Sequence, residues 1–457
     1  MKKRILFISD IAPTSEFTAG IILERILESF EQNFLLKFFV IHDRSLGNYA
    51  VSKSIGRSEL YRTSKPREDW SPLATLPKLF TNLGERFAEN DAKVILEDIR
   101  VQISRERPDH IVIVIQGQTT ILIAEALQML NIPTTYIHWD IWDWWAKSHG
   151  LSKQMDSTTK VRINKIAELG YHLVPTAEFA NFYGISSDRF VALYPSMLDE
   201  RIDDVYQSAE RIEIAFAGQG YAEREILSLI TALDAIDWSV GGKSIVLNTF
   251  GNTQIKSTNR NANIINRGWF HYTQLPRAMA NCHFAFLPYP SGATMEGVAK
   301  TSFPSKLAAY STGNLPVIYL GPKPTPTSSV SEQIGIALDM DVKSTEIICA
   351  IKNILNNRGE FLVRNTETFN LYFSDAAFRK SLNEWLASNN LGQIPKTPQI
   401  NSSRSFIRHI ENYESFQELD RKKSENYFLL LRLIRDPKLL IRKVGKRIVK
   451  SIRKILR

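Results

Sequence analysis

The sequence predicts two α/β domains that face one cleft, followed by a strongly basic amphipathic helix. Short apolar runs alternate with longer helix-like segments in two successive series, which is typical of parallel sheets flanked by helices. The 457 residues are enough for two domains of roughly 150–200 residues and an appendage. A cluster of basic residues with helically spaced apolar residues ends the chain.

The first series places six strands and five helices in the N-terminal half. The strands are predicted at 5–9, 34–41, 110–115, 134–138, 172–174 and 190–194, and the helices near 18–30, 85–106, 119–130, 157–169 and 176–183. Residues 43–80 lack a strong period and carry Pro and Ser, so we expect an insertion or a mobile loop there.

The second series begins at residue 213. It predicts strands at 213–218, 244–250, 263–266, 284–287 and 316–320, with helices at 222–237, 273–281 and 304–312. The polar stretch 198–210 is the expected hinge. The predicted domains are 1–205 and 211–373, followed by a crossover helix at 374–390 and a linker and basic tail at 391–457. Ligands of such open sheets bind beyond the carboxyl ends of the strands.

Composition narrows the class of protein. Cys282 and Cys349 are the only cysteines, without a CxxC or Cys/His cluster, so we expect no disulfide framework and no zinc site. The apolar run after Arg4 stops at Ser9 after four residues, which indicates a buried first strand and not a signal peptide. No stretch approaches the roughly 18 apolar residues of a spanning helix, so we expect a soluble body.

The turn after the first strand is a first candidate for ligand binding. It joins a buried strand to an amphipathic helix and contains Gly20, where the backbone could approach a ligand. Loops ending in small residues also cap many helices without binding anything. The turn alone leaves both interpretations open.

The segment 300–307 is a second candidate, because it opens a helix. Pro304 suits a first helical position, and the free N–H groups that follow, with the positive end of the helix dipole, favour an anion. Ser302, Ser305 and Lys306 add hydroxyl donors and a charge, which fits a diphosphate. The alternative is a well-capped surface helix with a solvated lysine.

A third candidate follows the strand 134–138, where four of the eight tryptophans fall within residues 139–145. Aromatic faces beside carboxylates suit sugar recognition, and His138 or Asp140 could act as a base or stabilise a developing positive charge. The alternative is a packed tryptophan cluster whose acids cap a helix. His138 in particular also fits a structural role.

Several common enzyme motifs are absent. The chain has no GxxxxGK[ST] loop and no GxGxxG after the first strand, which disfavours P-loop NTPases and dinucleotide oxidoreductases. Gly218-Gln219-Gly220 is only a partial imitation of such a loop. The lack of GxSxG and HExxH argues against common hydrolases.

The tail, residues 432–457, accounts for the entire net positive charge of the chain. Residues 432–457 hold eleven Lys and Arg against Asp436, a net charge of +10, so residues 1–431 sum to −1. Apolar residues recur at helical spacing among the bases, which predicts a helix bound to an anionic membrane surface. A docking helix and a nucleic-acid arm are the alternatives. The lack of aromatic residues among the bases weakens the latter, and we expect no nucleic-acid partner.

The second series resembles the GT-B glycosyltransferases, within them the retaining group related to glycogen synthases (family 4-like), in its divergent members with an SKL motif. The resemblance is carried by 264–270, by 275–288 ending in Leu-Pro, by Ser305-Lys306-Leu307 and by 313–318. The Gly20 loop and 174–179 are similar as well, so it spans roughly residues 3–388.

The resemblance implies a nucleotide-sugar donor on the second domain and an acceptor on the first. It implies catalytic roles for His138 and Asp140, and substrate contacts for Gly20, Gly218, Arg224, Thr301, Ser302, Ser305 and Lys306. No metal is needed if the helix dipole and lysine carry the leaving diphosphate. The chain departs from the group where its paired glutamates are expected, near 300/301 and 308/309, because no acid stands there.

We therefore expect a cytoplasmic enzyme on the inner face of the cell membrane, which transfers a sugar from a nucleotide sugar to a glycan or lipid-linked acceptor in cell-surface polysaccharide synthesis. A nucleotide-sugar epimerase of the same architecture is an alternative. The missing glutamates motivate another, a non-catalytic pseudo-transferase that serves as a scaffold.

Overall fold

The structure is a computed structural model, which describes residues 2–14, 18–30, 33–43, 51, 60–65, 81–141, 153–197, 201–203, 207–218, 220, 222–251, 253–292 and 295–392. The basic helix predicted at 432–457 and the tryptophans at 142, 144 and 145 lie outside these residues. No helix in the described part of the chain combines the length and apolarity needed to cross a membrane.

The N-terminal half forms a parallel sheet in the order β3-β2-β1-β4-β5-β6-β7. Its strands are β1 (Lys3–Ser9), β2 (Phe34–Asp43), β3 (Leu60–Lys65), β4 (His110–Ile115), β5 (Thr134–His138), β6 (Tyr171–Val174) and β7 (Phe190–Ala192). Its helices are α1 (Thr18–Phe30), α2 (Thr81–Glu106), α3 (Gly117–Leu127), α4 (Lys153–Ala167) and α5 (Ala177–Phe182).

Strand β4 shows why these runs form central strands. All six of its residues are buried. Val112 and Val114 pack with α1, while Ile111 and Ile113 pack with α2 and α3 on the other face. Helices cover both faces of the sheet, so the sequence of a central strand is continuously apolar instead of alternating.

The second half repeats this plan in the order β11-β10-β8-β12-β13-β14, with β9 pairing antiparallel to β10. Its strands are β8 (Arg211–Ala217), β9 (Ser239–Val240), β10 (Lys243–Phe250), β11 (Asn263–Gly268), β12 (Phe284–Pro288), β13 (Val317–Leu320) and β14 (Gly335–Leu338). Its helices are α6 (Glu223–Ala235), α7 (Leu275–Met279), α8 (Glu296–Thr301), α9 (Ser305–Thr312), α10 (Pro326–Ile334), α11 (Ser344–Asn356) and α12 (Arg358–Thr368).

The predicted α/β class with two Rossmann-like halves is confirmed, and one element corrects the prediction for 43–80. Strand β3 lies inside that range and extends the sheet beside β2. Its sequence, Leu-Tyr-Arg-Thr-Ser-Lys, is mostly polar, as an edge strand can be. Such a strand lacks the apolar run by which a buried strand is predicted.

The chain returns to the first sheet at its C-terminal end through α13 (Asp375–Ser388). Trp385 is fully buried, stacks on Phe30 of α1 and donates a hydrogen bond from Nε1 to Thr135 Oγ1 at 2.8 Å. Asp375 accepts a hydrogen bond from Arg25 at 2.9 Å. The helix that follows the second sheet is therefore part of the core of the first. The domain limits of 1–205 and 211–373 remain predictions.

Candidate active site

The carboxyl ends of β5 and β6 contact the segment that joins α8 to α9 in the second half. Asp140 and Thr176 follow these two strands directly, and both bond to that segment. Neighbouring strands of a sheet lie about 4.8 Å apart, so two consecutive strand ends form one edge. The candidate site is built at this edge.

Asp140 bonds to the second half through Ser302. Oγ of Ser302 donates a hydrogen bond to Oδ1 of Asp140 at 2.7 Å. Asp140 keeps access to solvent on one side, yet the protein packed around its carboxyl group raises its pKa by desolvation, and the Ser302 hydrogen bond opposes that rise. Ser302 is itself buried. Sequence analysis predicted both residues, and the structure brings them together.

Thr176 was missed by the sequence analysis as a site residue. Its hydroxyl donates to the carbonyl oxygen of Thr301 at 2.6 Å and accepts from the N–H of Phe179 at 3.1 Å, so it also caps α5. The capping role is visible in the sequence as a threonine before a helical segment. Its partner is 125 positions away, and no local pattern reports such a contact.

Apolar packing completes this contact between the two halves. Ile141, Phe179 and Val298 belong to one buried cluster, which joins the end of β5 and helix α5 to α8. A Cβ atom added to Gly297 would lie 2.2 Å from Cδ1 of Ile141. Glycine at this position therefore lets α8 approach the first half closely.

Lys306 lies directly beneath the end of β8. A Cβ atom at Gly218 would lie 2.3 Å from Cε and 2.9 Å from Nζ of Lys306, and Gly218 has a φ of +103° that also favours glycine. Nζ lies 5.7 Å from the centroid of the Phe216 ring, within the range of a cation–π interaction. Burial lowers the pKa of Lys306 to about 8.

Helix α9 begins at Ser305, one residue after Pro304. Pro304 is thus the N-cap, in an extended conformation, and not the first helical residue that the sequence predicts. The side chain of Pro304 makes no capping hydrogen bond to the first turn of α9. Lys306 is the second residue of this turn, and its ammonium group lies next to Gly218. An ammonium group at a helix start suits a phosphate group.

Other glycines bring the strand ends beside Lys306 close together. Gly218 N donates to Phe250 O at 2.8 Å, and Gly251 N donates to Gly268 O at 2.7 Å. A Cβ atom at Gly251 would lie 3.0 Å from the carbonyl oxygen of Gly218. The ends of β8, β10 and β11 thus present backbone at this edge of the sheet.

His138, the last residue of β5, forms a buried pair with His172 of β6. Its Nε2 is 3.1 Å from Nδ1 of His172, the two rings stack, and Phe179 packs against it. Burial, with a smaller contribution from His172, lowers the pKa of His138 well below its ordinary value. The imidazole is therefore neutral near pH 7. Its catalytic role stays a prediction.

The structure places the remaining predicted site residues as follows. Gly20 lies in the first turn of α1, where an added Cβ would meet Thr14 Cγ2 at 2.3 Å. Arg224 is exposed and paired with Asp341 at 2.8 Å. The hydroxyl of Thr301 donates to Gly297 O at 2.8 Å inside α8. Substrate contacts of these three residues stay predictions, as do those of Ser302, Ser305, Lys306 and Gly218.

The described residues contain no group of three or more His, Cys, Asp or Glu that could hold a metal ion. Glu225 is a buried carboxylate in the first turn of α6, which accepts a hydrogen bond from Ser291 Oγ. It is a further polar feature beside the strand ends that the sequence analysis did not single out.

No family model matches the sequence, and no curated protein matches it. Solved structures do match in fold. Sucrose-phosphate synthase from Thermosynechococcus elongatus is 13% identical, with a TM-score of 0.58 over 85% of this chain and 99% of its own. HepE of Anabaena in complex with UDP is 12% identical, with a TM-score of 0.56 over 85% and 100%.

A third match is a putative UDP-N-acetylglucosamine 2-epimerase from Listeria monocytogenes, 12% identical, with a TM-score of 0.51 over 86% of this chain and 98% of its own. Identities this low establish the fold alone. The fold is the two-domain GT-B arrangement, with the candidate site at the edge where its two halves meet.

Proposed function

We propose that this protein is a glycosyltransferase that moves a sugar from a nucleotide-sugar donor to a glycan or lipid-linked acceptor in cell-surface polysaccharide synthesis. The observation that carries the proposal is the position of Lys306. Its ammonium group is desolvated close to Gly218, and Lys306 belongs to the first turn of α9. A diphosphate is an anion that an ammonium group at a helix start can bind.

The chemistry follows from the charges. When the sugar leaves the donor, negative charge grows on the diphosphate, and a preorganised ammonium group with N–H donors stabilises it. Lys306 and the first turn of α9 would do this without a metal ion. The first half would hold the acceptor, and closure of the two halves would exclude water. Retention of the anomeric configuration is part of the proposal through the resemblance.

The comparisons support the donor class. One protein of this fold was solved with UDP bound, and another is named as a sucrose-phosphate synthase. The chain departs from the glycogen-synthase-like group at 300/301 and 308/309, where the paired glutamates are missing. In the structure Lys300 is exposed, and Ala308 and Ala309 are buried in α9. We propose that the ribose is held without a glutamate at these positions.

The test is calorimetry with UDP on the wild type, on Lys306→Ala and on Lys300→Ala. Lys300 is a matched control, because it is a lysine only six positions before Lys306 in the chain. Its ammonium group is exposed and pairs with Glu296. Loss of a charge-assisted contact predicts roughly 10–100-fold weaker UDP binding for Lys306→Ala. Equal affinity of all three proteins would overturn the donor assignment.

Two further measurements test the alternatives. Isomerised sugar formed from UDP-N-acetylglucosamine alone, without acceptor, would favour an epimerase. Absence of binding to every member of a nucleotide-sugar panel would favour a scaffold.

A cytoplasmic location on the inner face of the membrane is also part of the proposal. It rests on the sequence of 432–457, whose bases and helically spaced apolar residues suit an anionic surface.

A further inference from the structure

The three consecutive residues 301–303, between α8 and α9, each contact the first half of the molecule or the stretch of chain that connects the two halves. The carbonyl of Thr301 accepts from Thr176, and the hydroxyl of Ser302 donates to Asp140. The ring of Phe303 packs edge-on against Tyr194, with 4.9 Å between centroids. This contact segment ends three residues before Lys306.

Tyr194 lies where the chain passes from the first half to the second. The preceding Leu193 still bonds to Val174 of β6, while Met197 already packs in the core of the second half. Tyr372 also packs against Tyr194, with 5.2 Å between the ring centroids, shortly before α13 returns to the first half. Phe303 therefore packs in an aromatic cluster with Tyr194 and Tyr372, which lie on the two stretches of chain that connect the halves.

The polar groups of Ser302 are all used in holding it. Its N–H donates to Val298 O at 2.8 Å, its carbonyl accepts from Thr327 Oγ1 at 3.3 Å, and its hydroxyl bonds to Asp140. The side chain is buried, so loss of the Asp140 acceptor would leave a desolvated hydroxyl without its partner. Asp140 thus fixes one of three anchors of this residue.

We propose that Asp140 is a positioning residue, which acts through Ser302 to hold Lys306 beneath Gly218. The proposal rests on the proposed function, because it takes Lys306 as the group that binds the diphosphate. Pro304 restricts the backbone between Ser302 and Ser305, and Phe303 is held by Tyr194. A shift of Ser302 is therefore transmitted to the first turn of α9.

The position of Lys306 leaves little room for such a shift. Its side chain is in the space that a Cβ atom of residue 218 would fill. A displacement of the first turn of α9 would therefore move the Lys306 side chain relative to the Gly218 backbone. Donor binding would therefore depend on a contact made by the acceptor-side half, and the site would be complete only when the two halves are joined.

The first test is a double-mutant cycle on the full chain, with UDP affinity measured by calorimetry for Asp140→Ala, Ser302→Ala and the double variant. Each single change is expected to weaken UDP binding by about three- to tenfold, the value of one hydrogen bond. The double variant should be no weaker than either single one, because both remove the same contact. Additive losses would overturn the proposal.

Asp140→Asn separates positioning from chemistry. Asparagine keeps an oxygen that accepts from Ser302 but cannot act as a base, so we expect UDP affinity near that of the wild type even if turnover falls. UDP affinity as low as that of Asp140→Ala would overturn the proposal. Lys300→Ala, two residues before Ser302 on the exposed side, is the matched control and should leave UDP affinity unchanged.

A second readout needs no ligand. Competitive acetylation of Lys306, followed by mass spectrometry over a pH series, reports the pH midpoint at which its amine reacts. In the wild type we expect the burial of Lys306 to place that midpoint near 8. Asp140→Ala and Ser302→Ala should move it towards the ordinary lysine value, and Lys300→Ala should not.

Unchanged midpoints in both alanine variants would contradict the positioning role. Absence of UDP binding to the wild type would instead contradict the proposed function, and the acetylation series would still decide the positioning role. The two failures are thus distinguishable.

Discussion

The side chain of Lys306 fills the space that a side chain on residue 218 would need: a Cβ atom added to Gly218 would lie 2.3 Å from Cε of Lys306. The relationship joins the end of β8 to the start of α9, two elements separated by most of the second half. A glycine at 218 and a lysine at 306 are therefore a single structural requirement.

Gly218→Ala should weaken UDP binding strongly while lowering the stability of the fold only moderately. The positive φ alone costs about 1–3 kcal/mol of stability, and the added methyl group must displace Lys306. We expect UDP binding at least tenfold weaker, measured by calorimetry. Gly242→Ala is the matched control, because Gly242 also has a positive φ, +78°, but has no atom within 4 Å of an added Cβ. Equal UDP affinities of the two variants would contradict this account.

Lys306→Met should raise stability while weakening UDP binding roughly 10–100-fold, as Lys306→Ala should. The pKa of Lys306 is lowered to about 8 by burial, so the folded state binds fewer protons than the unfolded state between pH 8 and 10.5. Wild-type stability therefore rises with pH across that window, and the full cost of the buried charge is present below pH 8. Methionine removes the cost, about 1–3 kcal/mol at pH 7.

Denaturant unfolding at pH 7 and pH 10 measures this effect. The gain of Lys306→Met over the wild type should be large at pH 7 and should shrink at pH 10. A variant that is less stable than the wild type at pH 7 would show that the ammonium is well compensated in the fold.

The buried histidines of the first sheet should make the protein sensitive to mild acid. Burial lowers the pKa of His110 and of His172 to about 4, and that of His138 well below its ordinary value. The unfolded chain takes up these protons near pH 6.5, so stability is lost as the pH falls from 6.5 towards 4. Each imidazole contributes up to about 1.4 kcal/mol per pH unit.

Unfolding curves at pH 7, 6 and 5 measure the slope. His172→Gln should reduce the slope, because it removes one proton from the difference between the two states. A stability that does not change between pH 7 and 5 would contradict the neutral, buried pair of His138 and His172.

The basic tail makes a separable prediction. The full chain should co-sediment with vesicles that contain anionic lipid, and a chain of residues 1–431 should not, because the truncation removes a net charge of +10. Ile448→Ser with Ile452→Ser keeps every charge but breaks the apolar spacing, and it should weaken binding without abolishing it. Equal partitioning of the full and truncated chains would refute the membrane assignment.

The sequence alone determined the class of fold and one candidate anion site. Parallel strands covered on both faces are continuously apolar, so β1, β4, β8 and β12 are visible as short runs, and a proline followed by Ser305 and Lys306 indicates a helix start. Edge strand β3 was not predicted, because a strand at the edge of a sheet needs no continuous apolar run. The charge of the tail is a property of composition and needs no structure.

Only the tertiary structure decided which polar residues meet. The sequence named both His138 and Asp140 as candidates for catalysis, with a structural alternative for His138, and they stand two positions apart near one strand end. Folding put His138 inside the sheet against His172 and put Asp140 against Ser302, 162 positions away. It also placed Lys306 beneath Gly218. Contacts between strand ends depend on the order of strands in space, and side-chain periodicity along the chain carries no record of that order.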